Sequence, residues 1–419
     1  MTRSKELLYN RYIKPIKTNP KAYIGVEFEF PIVNTLGAAT DIAVSKALLA
    51  YLVEECGFQS VQKDADGAHV QVKEPASGDA ILFEVSYNIL EFAFEKALTI
   101  QEIDQCFNRY LELIQPYLRK HHHELQGWGV HPHWKINDNR PVALPRYQML
   151  LAYLALSQKE QAGAFHAYPD YGAFICGNQV QLDISEKNLI PVLNRFNQLE
   201  PIKAYLFANS TFWDSNWDTR LSRDIFWEES MHGKHLQNSG LYDHTLTGID
   251  DLINYLDQTS LFTTMREGKL LYFSPIRAKD YLEKDTIKAY DLEGNTINIK
   301  PKEEDFVYHR SYNYEDVTTR GTVEFRSTCT QALDKNFAPV AFHLGLFNNL
   351  EKLGDYLDNL PLYEKYHHDY RKMRRLFAKT TLPTDDEKEL DVICSHLVKL
   401  AEEGLQSRGY GEESYLKDL

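Results

Sequence analysis

The chain has no CxxC pair, and its five cysteines lie far apart at 56, 106, 176, 329 and 394. That spacing suggests neither a disulfide framework nor a zinc ribbon, and it fits a reducing compartment. No run approaches the roughly 18 uncharged apolar residues that a membrane span needs, so no membrane partner is expected. The opening stretch, MTRSKELLYNRYIKPIK, lacks the apolar core of a signal peptide. A cytoplasmic setting is the expectation. Lysine and arginine form no long tract and the net charge is −14, which argues against broad binding of nucleic-acid phosphates. Neither GxxxxGK(S/T) nor GxGxxG occurs, so a P-loop or Rossmann nucleotide site is excluded. No internal repeat and no Pro/Gly/Ser-rich linker divides the 419 residues. The expectation is one domain over 1–419, with a strand-rich core at about 20–330 and a helical part at about 333–405.

What is present is an ordinary globular balance, 43% hydrophobic and 25% charged residues. Residues 23–33 read as a strand. Thr40 or Asp41 caps a helix that runs through Glu55 to a stop at Gly57. Short strands at 58–62 and 68–73 flank the turn DADG, and 80–85 and 89–94 read as a hairpin. Thr99 and Glu102 form a capping-box pattern opening a long helix, with a bend expected near Pro116. Further strands are expected at 174–184 and 319–328, and helices at 189–200 and after Asn216. Residues 231–310 are irregular apart from a hairpin around LEGNTINI, and 333–405 read as three bundle-like helices. This mixture predicts an α+β fold: a largely antiparallel curved sheet forming a funnel, with helices packed on its outer side.

Three strands carry an unusual polar face. Side chains two residues apart share a face of a strand. In YIGVEFEFPI, Glu27 and Glu29 share one face while Val26, Phe28 and Phe30 take the other. In GNQVQLDIS, Gln179, Gln181 and Asp183 line up opposite Val180, Leu182 and Ile184. In RGTVEFRST, Arg320, Thr322, Glu324 and Arg326 oppose Val323 and Phe325. Glu84 and Glu91 add two acids from the hairpin. One such strand is an ordinary solvent-facing edge, but three built from acids, amides and arginines favour a shared polar cavity. Clustered carboxylates repel one another unless a cation neutralises them. Carboxylate and amide oxygens suit Mg²⁺ or Mn²⁺, and Mg²⁺ that keeps waters and bridges phosphates points toward ATP.

These segments resemble, in order along the chain, the glutamate–cysteine ligase family of carboxylate–amine ligases, whose catalytic domain is similar to that of glutamine synthetase. The matching stretches are IGVEFEF, LFEVSYNILEFAF, GVHPHW with LPRYQML, GNQVQLDIS, LFANSTFWDSNWDTRLSRDIFW, RGTVEFRSTCTQ and GLQSRGYGEE. The resemblance implies an ATP-dependent ligase with Mg²⁺ ions in a strand-lined funnel, acting on small molecules: L-glutamate or a similar amino acid and an amine acceptor. It makes Glu27 and Glu29 metal ligands and gives Glu84 and Glu91 metal or amino-substrate contacts. It sets Gln179 and Gln181 near metal and nucleotide, makes Glu324 a further ligand, and brings Arg326 to the transferred phosphate. Arg223 and Arg320 are candidates for substrate carboxylate or phosphate. Glu29, Glu324 and Arg326 form the expected catalytic set.

The sequence departs from the family in two places. Many relatives have a glycine-rich EPGGQ-E hairpin, whereas this chain reads EVSYNILE with one extra residue between the glutamates. The segment TFWDSNWDTR is more aromatic and polar than its counterparts. A second reading therefore keeps the chemistry and changes the acceptor amine. A third, from another class, is a non-catalytic relative that binds nucleotide or amino acid. Among other conspicuous residues, His121, His122 and His123 read as a solvated helix end and His131 and His133 as a locally bonded turn. Cys176 reads as a buried small hydrophobe, and Trp213, Trp217 and Trp227 as packing at a helix entrance. The GYGEE tail with Arg408 reads as a solvated terminus or a cover over the site.

Overall fold

The computed structural model describes residues 1–213, 215–417 and 419, so Asp214 of the TFWDSNW segment lies outside the described residues. Its frame is a sheet of nine strands: β1 (Ile24–Asn34), β2 (Gln59–Lys63), β3 (His69–Lys73), β4 (Ala80–Phe83), β5 (Ile89–Ala93), β6 (His123–Leu125), β7 (Asn178–Asp183), β8 (Glu315–Val317) and β9 (Thr322–Phe325). The strand order is β8-β9-β7-β1-β5-β4-β3-β2, every pairing is antiparallel, and β6 extends the sheet beside the end of β1. The α+β expectation with a large antiparallel sheet and a helical C-terminal part is what the chain adopts.

The alternation in β1 explains how the sheet is held. Phe28 and Phe30 are fully buried and meet Phe107 of the helix Ile100–Lys120 with ring centroids 5.5 and 5.6 Å apart. Phe28 also meets Phe337 at 5.1 Å, just before the helix Ala338–Asn348. Phe325 of β9 packs on Phe196 of the helix Glu186–Phe207 at 4.4 Å. One apolar face is thus roofed by helices, each buried aromatic stabilising the fold by on the order of 2 kcal/mol. The roof is tight where Ala338–Asn348 crosses the helix Thr384–Arg408. A methyl group at Gly345 or Gly404 would sit inside the other helix's backbone.

Several expectations are corrected. The helix expected at 189–200 extends over 186–207, through Pro191 and Pro201, and the helix 100–120 contains Pro116. Packing of the amphipathic face outweighs the lost backbone bond. The C-terminal part holds five helices rather than three: Ala338–Asn348, Leu350–Leu357, Pro361–Lys365, Tyr370–Phe377 and Thr384–Arg408. The strands expected at 174–184 and 319–328 shorten to 178–183 and 322–325. The stretch 231–310, read as mostly irregular, contains a second antiparallel sheet of Ser260–Arg266, Lys269–Arg277, Ile287–Tyr290 and Thr296–Ile299. Its last two strands are the hairpin read around LEGNTINI. A register shift between Tyr272 and Ile276, next to Pro275, breaks the alternation that would have revealed the first pair.

The tail neither covers the site nor floats in solvent. Glu412 is buried, and its carboxylate accepts from the Ile100 N–H at 2.9 Å and from Arg408 Nε at 2.6 Å. It therefore closes the N-terminus of the 100–120 helix. His123 is also buried, in β6, where its Nε2 accepts from the Asp41 N–H at 3.0 Å, while His121 and His122 are exposed. Among the described residues, no helix is long and apolar enough to cross a membrane.

Candidate active site

The polar face is continuous across five strands because the register aligns it. Glu27 stands opposite Gln179, Glu29 opposite Glu91, Glu324 opposite Gln181, and Asp316 of β8 opposite Glu324. Direct antiparallel partners share a face. Amides and backbone satisfy part of this face: Gln179 Nε2 donates to Glu29 Oε1 at 3.2 Å, and the Gly177 N–H donates to Glu29 Oε2 at 2.6 Å. Arg320 Nη2 donates to Gln181 Oε1 at 2.6 Å, and Gln181 Nε2 passes the contact to Glu27 Oε1 at 3.2 Å.

The remaining electrostatics are unfavourable for the acids as they stand. Burial, then repulsion from Glu84, raises the Glu29 carboxyl to about 7, with Arg223 and the Gly177 N–H opposing. Burial and Glu324 raise Glu27 to about 7 against the pull of Arg320 and Arg326. Glu91 is pushed well above the carboxylate range by burial and by Glu84, Glu27 and Glu29. Burial raises Asp316 to about 6, although Arg326 and a 2.6 Å bond from Ser311 Oγ favour its charge. Burial would lower the Arg326 guanidinium, but Glu324 and Asp316 raise it, so it stays charged. Its Nη2 donates to Glu324 Oε2 at 2.9 Å, while its Nε is buried without a partner among the described residues.

Glu29, Glu84, Gln179, Arg223 and Arg326 line one cleft with about 710 Å³ of atom-free space, part of it open to solvent. Glu27, Glu91, Gln181, Arg320 and Glu324 continue the same face beside the cleft without lining it. Glu84 accepts from the Tyr147 hydroxyl at 2.7 Å. Arg223 is buried beside Gly177 and Glu29, and its Nη1 donates to the Thr328 carbonyl at 2.8 Å. Among the described residues, no three acids, histidines or cysteines form a ready ion cage. The acids stand in rows a strand apart. Their oxygen chemistry and mutual repulsion fit a hard divalent cation that completes its shell with water or phosphate oxygen.

The opposite wall is aromatic and apolar. It includes Trp227, Tyr312, Tyr171, Leu150 and Leu154, with the buried His232 held neutral by burial at about 3. The Arg326 guanidinium lies 5.7 Å from the Tyr312 ring centre. Trp227 is thus a cleft wall as well as a packing residue, while Trp213 is half exposed. Asp316, Tyr147, Tyr312 and His232 were not singled out from the sequence. Only Asp316 left a signal: it falls on the polar register of a hairpin whose turn is Thr318–Gly321, with Gly321 at φ 76°.

The altered hairpin contributes to the frame. Ser86 Oγ donates to the Ala173 carbonyl at 2.6 Å and Asn88 Nδ2 to the Asp138 carbonyl at 2.8 Å, and both residues are buried. His131 is buried and neutral at about 3, bonded to Thr40 and the Ile32 carbonyl. Cys176 is fully buried, its thiol raised well above the usual range by burial.

The sequence is similar to three plant proteins named chloroplastic glutamate–cysteine ligase. That of Nicotiana tabacum is 23% identical over 301 residues, 70% of this chain and 53% of the relative. That of Brassica juncea is 24% identical over 298 residues, 69% and 54% of the two chains. Ligase A of Oryza sativa subsp. indica is 23% identical over 298 residues, 70% and 57%. The chain therefore spans about half the length of the curated relatives it matches. A crystal structure of a glutamate–cysteine ligase from Francisella tularensis in complex with AMP aligns with a TM-score of 0.44 at 13% identity, over 96% of this chain and 88% of that one. The family model described as glutamate–cysteine ligase family 2 (GCS2) matches residues 23–418, nearly the whole sheet-and-helix framework, and the chain belongs to that family.

Proposed function

We propose that the protein is an ATP-dependent ligase that joins the side-chain carboxylate of L-glutamate to the amine of cysteine, releasing ADP and phosphate. The observation that carries this is the row of opposed carboxylates from Glu91 through Glu29 and Glu27 to Glu324, with Arg326 at its end. Buried acids raised to about 7 are costly unless a cation neutralises them. Mg²⁺ held by Glu27, Glu29, Glu84, Glu91 and Glu324 would neutralise phosphate charge and so favour phosphoryl transfer.

The chain's own residues then have distinct tasks. A substrate carboxylate oxygen attacks the γ-phosphorus, the bond to ADP breaks, and an acyl phosphate forms. The amine attacks the acyl carbon, the C–N bond forms, phosphate leaves with the C–O electron pair, and the amine loses a proton. Arg326 offers a planar fork to charge developing on the transferred phosphoryl group. Gln179 and Gln181 orient Glu29 and Glu27 through their amide donors. Arg223 and Arg320 bind substrate carboxylate or phosphate, and the aromatic wall excludes water. Helices reaching residue 408 roof the sheet that carries these acids, which supports reading the chain as one catalytic unit. The five free cysteines suit a reducing compartment such as the cytoplasm.

The test is ADP release with Mg·ATP and L-glutamate, single amines added in turn and each product weighed. ADP formed only with cysteine, with a product at the mass of glutamylcysteine, supports the reading in full. ADP with another amine reassigns the acceptor. Absence of Mg·ATP binding overturns it.

A further inference from the structure

The cleft helix Ser222–Glu228 has only seven residues, too few to be stable by its own hydrogen bonds. Its sequence SRDIFWE carries two stripes of i, i+4 spacing. Arg223 and Trp227 form one, and both line the cleft, as does Asp224 of the other stripe. Asp224 and Glu228 form the other and meet three arginines of the helix Tyr370–Phe377. Arg371 Nη1 and Arg375 Nη2 reach Glu228 Oε2 at 3.0 and 3.2 Å. Arg374 grips Asp224 with both edges of its fork, Nε to Oδ2 at 2.8 Å and Nη2 to Oδ1 at 2.9 Å. Its third nitrogen, Nη1, donates to the carboxylate of Glu200 and to the Glu200 carbonyl. Arg374 is almost fully buried, and its guanidinium lies 4.5 Å from the centre of the Tyr314 ring, another cleft residue.

We propose that Arg374 is a positioning residue for the ligase reaction, acting through Asp224 to fix Arg223 beside Glu29. Arg374 does not line the cleft itself; it touches Asp224 and Tyr314, which do, so its effect passes through them. Asp224 follows Arg223 in the first turn, and a rotation of that turn would carry the Arg223 guanidinium off the Thr328 carbonyl. Four bonds to two partners, Asp224 and Glu200, define an orientation that a single ammonium cannot reproduce. The burial of the pair points the same way, since a buried charge without its partner is strongly unfavourable.

This inference rests on the ligase reading, and its test separates the two. Arg374→Lys keeps the charge and loses the fork. Turnover per folded molecule is expected to fall by at least about 10-fold, as for a misplaced positioning group, with the Kd for Mg·ATP within a few-fold of the parent. A purely structural role would lower the melting temperature and leave turnover per folded molecule unchanged, which overturns the proposal. A crystal structure of the variant is expected to show the Arg223 guanidinium displaced from Thr328; an unmoved guanidinium overturns the proposal whether or not the wild type is active. If Arg374→Lys does not fold, Asp224→Asn, isosteric and with one charge fewer, carries the same two readouts. A wild type that releases no ADP overturns the ligase reading alone, and the position of Arg223 in the variant structure then decides the present one.

Discussion

Glu29 on β1 and Glu91 on β5 are direct partners in the antiparallel register, so two buried carboxylates share one face of the sheet. Raising the Glu29 carboxyl from 4.5 to about 7 costs roughly 3 kcal/mol of folding stability once it must ionise. The sign is set by the upward shift. Below pH 4.5 the acid is protonated in both states and the stability is intact. As pH rises toward 7 the unfolded chain loses its proton first, binds fewer protons than the native state, and stability falls. Glu27 acts in the same direction. In EDTA, the urea midpoint is therefore expected to drop between pH 4.5 and 7, and Glu29→Gln is expected to flatten that slope. Magnesium should raise the melting temperature at pH 8 and have little effect at pH 5. An unchanged slope in Glu29→Gln would contradict the account.

Arg326 follows the end of β9, with Nη2 at 2.9 Å from Glu324 and 3.9 Å from Asp316. Lysine would retain the charge and lose the planar fork. Arg326→Lys is expected to lower turnover by about 10²–10³-fold, the usual loss for one donor aimed at developing charge. Its Kd for Mg·ATP should change only a few-fold, since the acids rather than this arginine are assigned to the metal. Wild-type turnover in the variant would remove Arg326 from the catalytic set.

Much of this face was legible because strand alternation is a local rule. VEFEF, NQVQLD and TVEF each separate polar from apolar positions, and the register then brings Glu27, Glu29, Gln179, Gln181 and Glu324 to one surface. Which of them line the cleft depends on the opposite wall, and that wall is assembled from distant segments with no periodic signature. Tyr147 reaches Glu84 from a helix 63 residues away, and Arg374 reaches Asp224 across 150 residues. His232 meets Tyr312 with ring centres 4.0 Å apart. The helix 186–207 outran the expected 189–200 for a related reason. Pro116, Pro191 and Pro201 each remove one backbone donor, but tertiary burial of the helix face decides whether the helix continues.

The tail offers a contrast between stability and activity. Glu412 accepts from the Ile100 N–H and from Arg408, which also donates to the Leu98 carbonyl at 2.6 Å. Removing the carboxylate leaves a largely buried guanidinium without its partner. Glu412→Ala is expected to cost about 3 kcal/mol, read as a shift in the urea midpoint. The acidic face assigned to the reaction belongs to other elements, so turnover of the folded variant should equal that of the parent. A loss of turnover without a loss of stability would mean that the tail does reach the site.

Gly177 probes the site most finely. Its N–H holds Glu29 Oε2 at 2.6 Å, and a methyl group built on its Cα would lie 2.7 Å from Arg223 Nη2 and 3.5 Å from Glu29 Oε2. The guanidinium cannot swing away cheaply, because Nη1 is bonded to the Thr328 carbonyl and the side chain is buried. Gly177 has no left-handed φ, so alanine there strains the neighbours rather than the backbone. Gly177→Ala is therefore expected to displace Arg223 by part of an ångström while the fold survives. A shift of about 1 Å at a positioned group costs up to roughly 10²-fold in rate. Turnover should fall by more than about 10-fold, with the melting temperature near that of the parent. The same loss should appear when Arg223 itself is replaced by lysine, and the double variant should be little worse than either single one. Additive losses would mean that Gly177 and Arg223 act separately, and that the glycine serves Glu29 alone.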